Sequence, residues 1–115
     1  MGNATFGIPE DLALSLKEAI KAKTLVETGT YKGGTALWAS KNFEKVYTIE
    51  FDEQRYLKTL GDFKTKELDI RNVEFCLGNS KYILPSILED LKEPVVFWLD
   101  AHGTFVLEKP QTEDD

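Results

Sequence analysis

Hydrophobic positions along the chain follow a helical period near the N-terminus and then form short continuous runs. Leu12, Leu16, Ala19 and Ile20 recur at helical spacing between Pro9 and Lys23, which predicts an amphipathic helix with these side chains on its buried face. Four later runs of apolar, β-branched and aromatic residues have the length of strands. They are Thr24 to Glu27, Val46 to Glu50, Val73 to Leu77 and Val95 to Leu99.

A helical segment separates each predicted strand from the next. The first covers Thr35 to Lys41, and the second follows Asp52, whose side chain can cap it. The third is predicted over Pro85 to Leu91, with Pro85 at or near its first turn. Its inward side chains are predicted to be Ile87, Leu88 and Leu91. Strands that alternate with helices predict parallel βαβ units, and hence a single three-layer α/β domain over residues 1–115.

Ligand sites in such sheets lie beyond the carboxyl ends of the strands. Four segments of this chain occupy those positions, so any chemistry is expected there. They are Glu27 to Gly29, Glu50, Gly78 to Ser80, and Asp100 to His102.

The turn from Gly29 to Gly34 excludes the two common phosphate-binding motifs. A dinucleotide fingerprint G-x-G-x-x-G needs glycine at position 31, where this chain has Tyr31, and that glycine admits the pyrophosphate. A P-loop needs lysine at position 35, where this chain has Thr35. The remaining pattern, acidic-x-Gly-x-x-x-Gly from Glu27, suits a ligand that is cationic or amino-bearing and has no phosphate. S-adenosylmethionine (SAM), with its sulfonium, amino group and ribose diol, is such a ligand.

The stretch from Leu25 to Thr35 resembles the first motif of class I SAM-dependent methyltransferases. The segment from Phe97 to His102 is similar to the macrolide and cephamycin O-methyltransferase branch of that family, and the resemblance runs from about Leu25 to His102. It implies a Rossmann-like three-layer fold with a parallel sheet of strand order 3-2-1-4. It also implies methyl transfer from SAM to an oxygen or nitrogen of a small-molecule acceptor.

The same resemblance implies which residues meet the cofactor. Glu27 would place the amino group, directly or through water, and Glu50 would accept both ribose hydroxyls. Asn79 and Ser80 would meet the adenine, although many relatives carry aspartate where this chain has Asn79. The other implied contacts, along the methionine part and at the reacting methyl, are Gly29, Tyr31, Gly33 and Asp100.

Proton transfer is predicted for the segment after the fourth predicted strand, where Asp100 is also considered as a possible Mg²⁺ ligand. Asp100 follows a hydrophobic strand, where a carboxylate is costly to bury without a partner. His102 is the only histidine and titrates near neutrality, so either residue is a candidate to take the acceptor's proton. In metal-dependent relatives the aspartate matching Asp100 helps to hold Mg²⁺, but this segment offers fewer oxygen ligands than Mg²⁺ needs. Glu113 to Asp115 would add carboxylates, although a solvated acidic tail explains them more simply.

These patterns also have plain structural explanations. The glycines of the first turn suit a tight connection without a ligand, and Asn79 and Ser80 suit a turn and a helix cap. Glu50 would equally accept the ribose hydroxyls of NAD. His102 also fits an ordinary loop histidine.

Composition narrows the class of partner. The chain has 20 Asp and Glu against 14 Lys and Arg, a formal net charge of -6, which argues against general nucleic-acid binding because that binding neutralises phosphates. The single cysteine, Cys76, excludes an intramolecular disulfide and predicts an inert core position. The longest apolar run, Val95 to Leu99, is too short to span a bilayer, and no signal-peptide pattern is seen. We therefore expect a cytoplasmic protein without a membrane partner.

The family pattern has seven strands and this chain supplies four, so we expect a truncated sheet in which Val95 to Leu99 forms a bare apolar edge. Such an edge invites pairing with another chain. The chain would then be a piece of a longer protein, or a short chain that homo-oligomerises at this edge, or Thr104 to Asp115 would fold back over it. Twelve residues cannot build three strands, which favours the first two explanations and leaves residues 104–115 as a tail.

Two other functions remain open from the sequence. A bare apolar edge would fit a non-catalytic Rossmann-like module that binds a partner or assembles. An NAD-binding fragment would fit the acidic residue at the end of the second strand.

Overall fold

Five strands form one sheet in the computed structural model, which describes residues 8–30, 33–99 and, for the backbone, 104–108. No helix within these ranges is long and apolar enough to cross a membrane. The elements are α1 (Glu10–Ile20), β1 (Thr24–Thr28), α2 (Gly34–Asn42), β2 (Lys45–Glu50), α3 (Glu53–Thr65), β3 (Val73–Leu77), α4 (Ser80–Asp90), β4 (Val95–Leu99) and β5 (Thr104–Glu108).

The strand order is β3-β2-β1-β4-β5, and the first four strands are parallel. This confirms the predicted order 3-2-1-4. The register pairs Thr28 of β1 with Ile49 of β2 and with Leu99 of β4. The parallel strands therefore end together along one edge of the sheet.

The outer side of β4 is not a bare edge, so that expectation was wrong. β5 pairs with it antiparallel, from Val95 opposite Glu108 to Leu99 opposite Thr104. The physical reason is that an antiparallel neighbour needs only a short reversal, whereas a parallel neighbour needs a crossover of a dozen or more residues. The bare edge at residues 95–99 was the reason to expect a second copy there, and that reason no longer holds. The last residues of the predicted tail, 109–115, lie outside the described residues.

Alternation along the strands separates two apolar cores. Leu25, Val46 and Val96 face α1 and α2, and the cluster there includes Ala13 and Ala39. Phe63 of α3 meets Phe75 of β3 edge to face, with ring centroids 5.6 Å apart, on the same side of the sheet. The opposite face is covered by α4, where Ile87 packs on Val26, Ile49, Val95 and Phe97. This arrangement confirms the three layers.

The buried stripe of α1 differs in part from the predicted one. Leu16 and Ile20 are half-buried as expected, but Leu12 is 50% exposed and Ala19 is exposed, while Ala13 is fully buried. The stripe instead passes through Lys17, whose ammonium lies 5.5 Å from the centre of the Phe43 ring. A lysine can occupy this position because its aliphatic stem packs while its charge stays at the surface.

α4 begins at Ser80, more than one turn before the predicted start at Pro85, which lies inside the helix. The earlier start follows from Asn79, whose side chain accepts a hydrogen bond from the Lys81 amide at 2.9 Å and so caps the helix. The longer helix turns Ile87 into the core, whereas Leu88, predicted to face inward, is 36% exposed.

The Asn72 side chain joins β3 to the end of α2, and its loss is expected to destabilise the fold. Its Nδ2 donates to the carbonyls of Ser40 and Phe43 at 2.9 and 3.0 Å. We expect Asn72→Ala to lower the free energy of unfolding by about 1–2 kcal/mol in urea titrations. Asn42→Ala is the matched control, because among the described residues the Asn42 side chain donates only to the Trp38 carbonyl of its own helix. Equal losses in the two variants would contradict this role.

Two titratable side chains on the α4 face predict a loss of stability in alkali. Burial, then Glu74 and Asp90, raises the pKa of Tyr47 above its ordinary 10.0. Burial and Glu74 likewise raise the pKa of Cys76 above 9.0, although Lys45 opposes the shift. Since the native state then holds these protons more tightly than the unfolded chain, the stabilisation is complete below about pH 9 and is lost as pH rises through the native values.

Urea titrations between pH 7 and pH 11 test this expectation. The free energy of unfolding should fall above about pH 9, and Tyr47→Phe combined with Cys76→Ala should flatten that decline. Tyr82→Phe, at a side chain that is 69% exposed, serves as the control and should leave the decline in place. An unchanged decline in the double variant would refute the assignment.

Candidate functional site

Three of the strand-end segments are joined at the carboxyl edge of the sheet. The Gly29 amide donates to the Ile49 carbonyl at 2.7 Å, and the Gly78 amide donates to the Glu50 carbonyl at 2.9 Å. The turns after β1 and β3 are therefore both hydrogen-bonded to the end of β2. The expected convergence of these segments is a feature of the backbone itself.

Glu27 carries a carboxylate that is almost completely buried. Its side chain is 1% exposed, and its Oε1 accepts a hydrogen bond of 2.6 Å from the Thr48 hydroxyl. Thr48 stands directly opposite Glu27 in the β1–β2 register. Its hydroxyl also lies 2.7 Å from that of Thr30, in the turn after β1. A buried hydroxyl chain thus connects the turn to Glu27.

Glu50 ends β2 and is 5% exposed. Its Oε2 accepts a hydrogen bond of 3.0 Å from the Asp52 amide, and Asp52 in turn caps α3 through the Arg55 amide at 3.1 Å. The Asp52 cap confirms the sequence prediction. Glu27 and Glu50 project from adjacent strands on the same face of the sheet, because Thr48 pairs with Glu27 and lies two residues before Glu50.

The turn between β1 and α2 depends on glycine at two positions. Gly29 and Gly33 both have φ near 85°, a conformation that side chains disfavour. The Gly33 amide donates to the Thr30 carbonyl at 2.9 Å, which closes the turn. α2 then starts at Gly34 without a side-chain cap and without an acidic residue in its first turn. Tyr31, predicted to line this turn, lies outside the described residues.

The segment after β3 serves first as a helix cap. Asn79 uses its Oδ1 to cap α4, and Ser80 is the first helical residue. The helix cap that the sequence analysis gave as a plain explanation for Asn79 and Ser80 is therefore observed. Asn79 is exposed, and this cap leaves its side-chain nitrogen Nδ2 without a hydrogen bond to any residue in 8–30 or 33–99.

The segment after β4 carried the predicted catalytic and metal-binding residues. Asp100 and His102 lie outside the described residues, so their roles stay predictions. Within the described part of the chain, no three His, Cys, Asp or Glu side chains come together to form a metal site.

Two side chains at this edge were not singled out from the sequence. Thr48 was read only as a strand residue, although its register opposite Glu27 follows once the two strands are taken as parallel neighbours. Phe51 directly follows Glu50 and is 74% exposed. The sequence signal that could have found it is a phenylalanine directly after the acidic residue that ends the second predicted strand.

Lysines line a hollow at the opposite, amino edge of the sheet. Its volume is about 420 Å³, and Lys17, Lys21, Lys23 and Lys41 surround it together with Glu18 and Glu44. Lys17 and Lys41 lie in the last turns of α1 and α2, where cations complement the helix dipole. Four lysines therefore gather at this edge, whereas the buried carboxylates Glu27 and Glu50 lie at the other.

Comparison with known proteins identifies the fold. No family model and no curated protein matches the chain. The O-methyltransferase TomG from Streptomyces achromogenes, involved in tomaymycin synthesis and solved with SAM, aligns with a TM-score of 0.61 and 20% identity over 77% of this chain and 41% of that one. An O-methyltransferase from Bacillus cereus, solved with S-adenosylhomocysteine, aligns with a TM-score of 0.58 and 21% identity over 77% and 44%. A protein-L-isoaspartate O-methyltransferase aligns with a TM-score of 0.62 and 16% identity over 89% of this chain and 41% of that one.

These likenesses establish that the chain has the Rossmann-like α/β fold found in these methyltransferases, as the sequence predicted. The chain spans less than half the length of each of the three structures.

Gly33 offers a sharp test of the turn. A Cβ at this position would lie 2.5 Å from Cζ of Phe63 and 3.0 Å from Cγ2 of Thr59, and φ is 85°. We expect Gly33→Ala to destabilise the protein by about 2–4 kcal/mol, since left-handed strain and overpacking add. Gly34→Ala is the control, because a Cβ there meets no atom within 4 Å. Urea unfolding of both variants measures the difference, and a tolerated Gly33→Ala would contradict the packing described.

Proposed function

We propose that this chain binds SAM and is the cofactor-binding part of a SAM-dependent methyltransferase. The observation that carries the proposal is the pair of buried carboxylates, Glu27 and Glu50, on one face at the ends of adjacent parallel strands and next to a glycine turn. The neighbours TomG and the Bacillus cereus enzyme were solved with SAM or its demethylated product, which supports the same ligand class here.

The donors and acceptors of the site fit such a ligand. Two carboxylates close to one turn favour a cationic, amino-bearing molecule and repel a phosphate. Glu27 is the proposed partner of the amino group, and Glu50 of the ribose hydroxyls, which would replace water on a carboxylate that is already held in place by the Asp52 amide. The uncapped N-terminus of α2 favours the ligand's carboxylate.

The adenine is assigned to the β3 end of the site. The exposed amide nitrogen of Asn79 can donate to a ring nitrogen, and Ser80 lies next to it in the first turn of α4. The exposed ring of Phe51 adds an apolar surface beside Glu50. Gly29, Tyr31 and Gly33 complete the proposed contacts along the amino-acid part of the ligand.

The chemistry would be methyl transfer to an oxygen or nitrogen nucleophile. SAM supplies a methyl group activated by a sulfonium, so the protein's task is to hold the two reactants in line and to accept a proton. Asp100 and His102 directly follow β4 and are the proposed proton acceptors. The proposal places the reaction in the cytoplasm, with a small-molecule acceptor.

Titration calorimetry with SAM, S-adenosylhomocysteine and NAD tests the proposal. We expect saturable binding of the first two and none of NAD, because the turn has Tyr31 where a dinucleotide site needs glycine. A folded protein that gives no heat with SAM or its product would refute the proposal. Binding of NAD that SAM displaces poorly would favour the dinucleotide alternative instead.

Glu50→Ala is the decisive variant for the ribose contact. Loss of charge-assisted hydrogen bonds should weaken SAM binding by about 2–3 kcal/mol, or roughly 30- to 150-fold. Glu44→Ala removes an exposed carboxylate at the opposite edge and should leave affinity unchanged. Circular dichroism of both variants checks that the fold is intact, and an unaltered affinity in Glu50→Ala would remove Glu50 from the site.

A further inference from the structure

Thr30 and Thr48 form a buried hydroxyl chain that ends on Glu27 and has no role in the proposal so far. Thr48 is 0% exposed, Thr30 4% and Glu27 1%. The two links are short, at 2.7 Å between the hydroxyls and 2.6 Å from Thr48 to Glu27 Oε1. Water has little access to any of the three groups.

The direction of the chain follows from counting protons. An ionised carboxylate only accepts hydrogen bonds, so Thr48 donates its one hydroxyl proton to Glu27. Thr48 then has only lone pairs to offer, so Thr30 must donate to Thr48. With Glu27 ionised, the chain therefore has a single hydrogen-bond arrangement.

The branched shape of the Thr48 side chain matches that of valine, so its hydroxyl is what distinguishes threonine at this position. Thr48 lies in the middle of β2, two residues from Val46 and on the same face, where a valine would fill nearly the same volume. Its hydroxyl is used to bind a charge. Thr30 extends this contact to the glycine turn, because its carbonyl accepts from the Gly33 amide at 2.9 Å.

We propose that Thr48, supported by Thr30, is a positioning residue that holds the Glu27 carboxylate in one orientation for the cationic amino group of an amino-acid-bearing nucleoside. The inference rests on the proposed function and deepens it. It predicts that the hydroxyl chain matters for the amino-acid part of the ligand and not for its nucleoside part, which is assigned to the ends of β2 and β3.

Two ligands separate the roles. S-adenosylhomocysteine carries the amino group, whereas 5′-methylthioadenosine retains the nucleoside and lacks the amino-acid part. Thr48→Val should weaken binding of S-adenosylhomocysteine about tenfold and leave that of 5′-methylthioadenosine within about twofold.

Three further variants complete the test. Thr48→Ser keeps the hydroxyl and should restore wild-type affinity for S-adenosylhomocysteine. Thr24→Val makes the same chemical change at a buried threonine of β1 near the other edge and should have no effect on either ligand. Thr30→Val removes the far end of the chain and should weaken S-adenosylhomocysteine binding in the same selective way, which preserves the test if Thr48→Val does not fold.

The outcomes distinguish this inference from the proposed function. If the wild type binds neither ligand, the proposed function is wrong and the positioning role falls with it. If the wild type binds both, but Thr48→Val and Thr30→Val weaken both equally or change neither, the positioning role alone is overturned.

Discussion

The carboxyl edge of the sheet depends on how the charge of Glu27 is compensated. A carboxylate that is 1% exposed loses nearly all of its hydration, which costs several kcal/mol unless hydrogen bonds replace the water. The hydroxyl of Thr48 supplies one such bond, and charged hydrogen bonds of this kind contribute about 1.5–3 kcal/mol. The parallel pairing of β1 and β2 is what places the two groups opposite each other. The register of β1 and β2 therefore also decides which side chain donates a hydrogen bond to Glu27.

Charge is distributed across the sheet in a way that suits the proposed ligand. Glu27 and Glu50 lie at the carboxyl edge, and the lysine-lined hollow lies at the amino edge. A field of this sense attracts a cationic molecule to the carboxyl edge, although salt screens it over about 8–10 Å. The uncapped start of α2 adds a local positive end within the acidic edge. An amino acid attached to a nucleoside, with both a cation and a carboxylate, matches this combination.

The pairing of β5 with β4 changes the environment of the outermost parallel strand. An apolar edge strand would invite association with other chains, but here the backbone groups of β4 are paired by the antiparallel β5. Among the described residues, the edge strand on this side is therefore β5 and not β4. The α4 face is less well covered. Within the described residues, α4 alone packs on that face of the sheet, whereas α1, α2 and α3 pack on the other. Tyr47 and Cys76 are accordingly only half-buried, although the desolvation they do experience raises the pKa of each.

Local patterns in the sequence determined the four parallel strands, the Asp52 cap and the acidic and glycine positions at the strand ends, because periodicity, capping and turn chemistry act over a few neighbouring residues. The strand order was predicted only through the family resemblance. The position of Pro85 misled the prediction for α4, since the Asn79 cap outweighed the proline signal. The tertiary structure alone decided that Thr48 and Thr30 serve Glu27, that Ala13 rather than Leu12 packs on the sheet, and that residues 104–108 close its edge. Each of these depends on contacts between residues far apart in the chain, whose partners are selected only when strands and helices pack together.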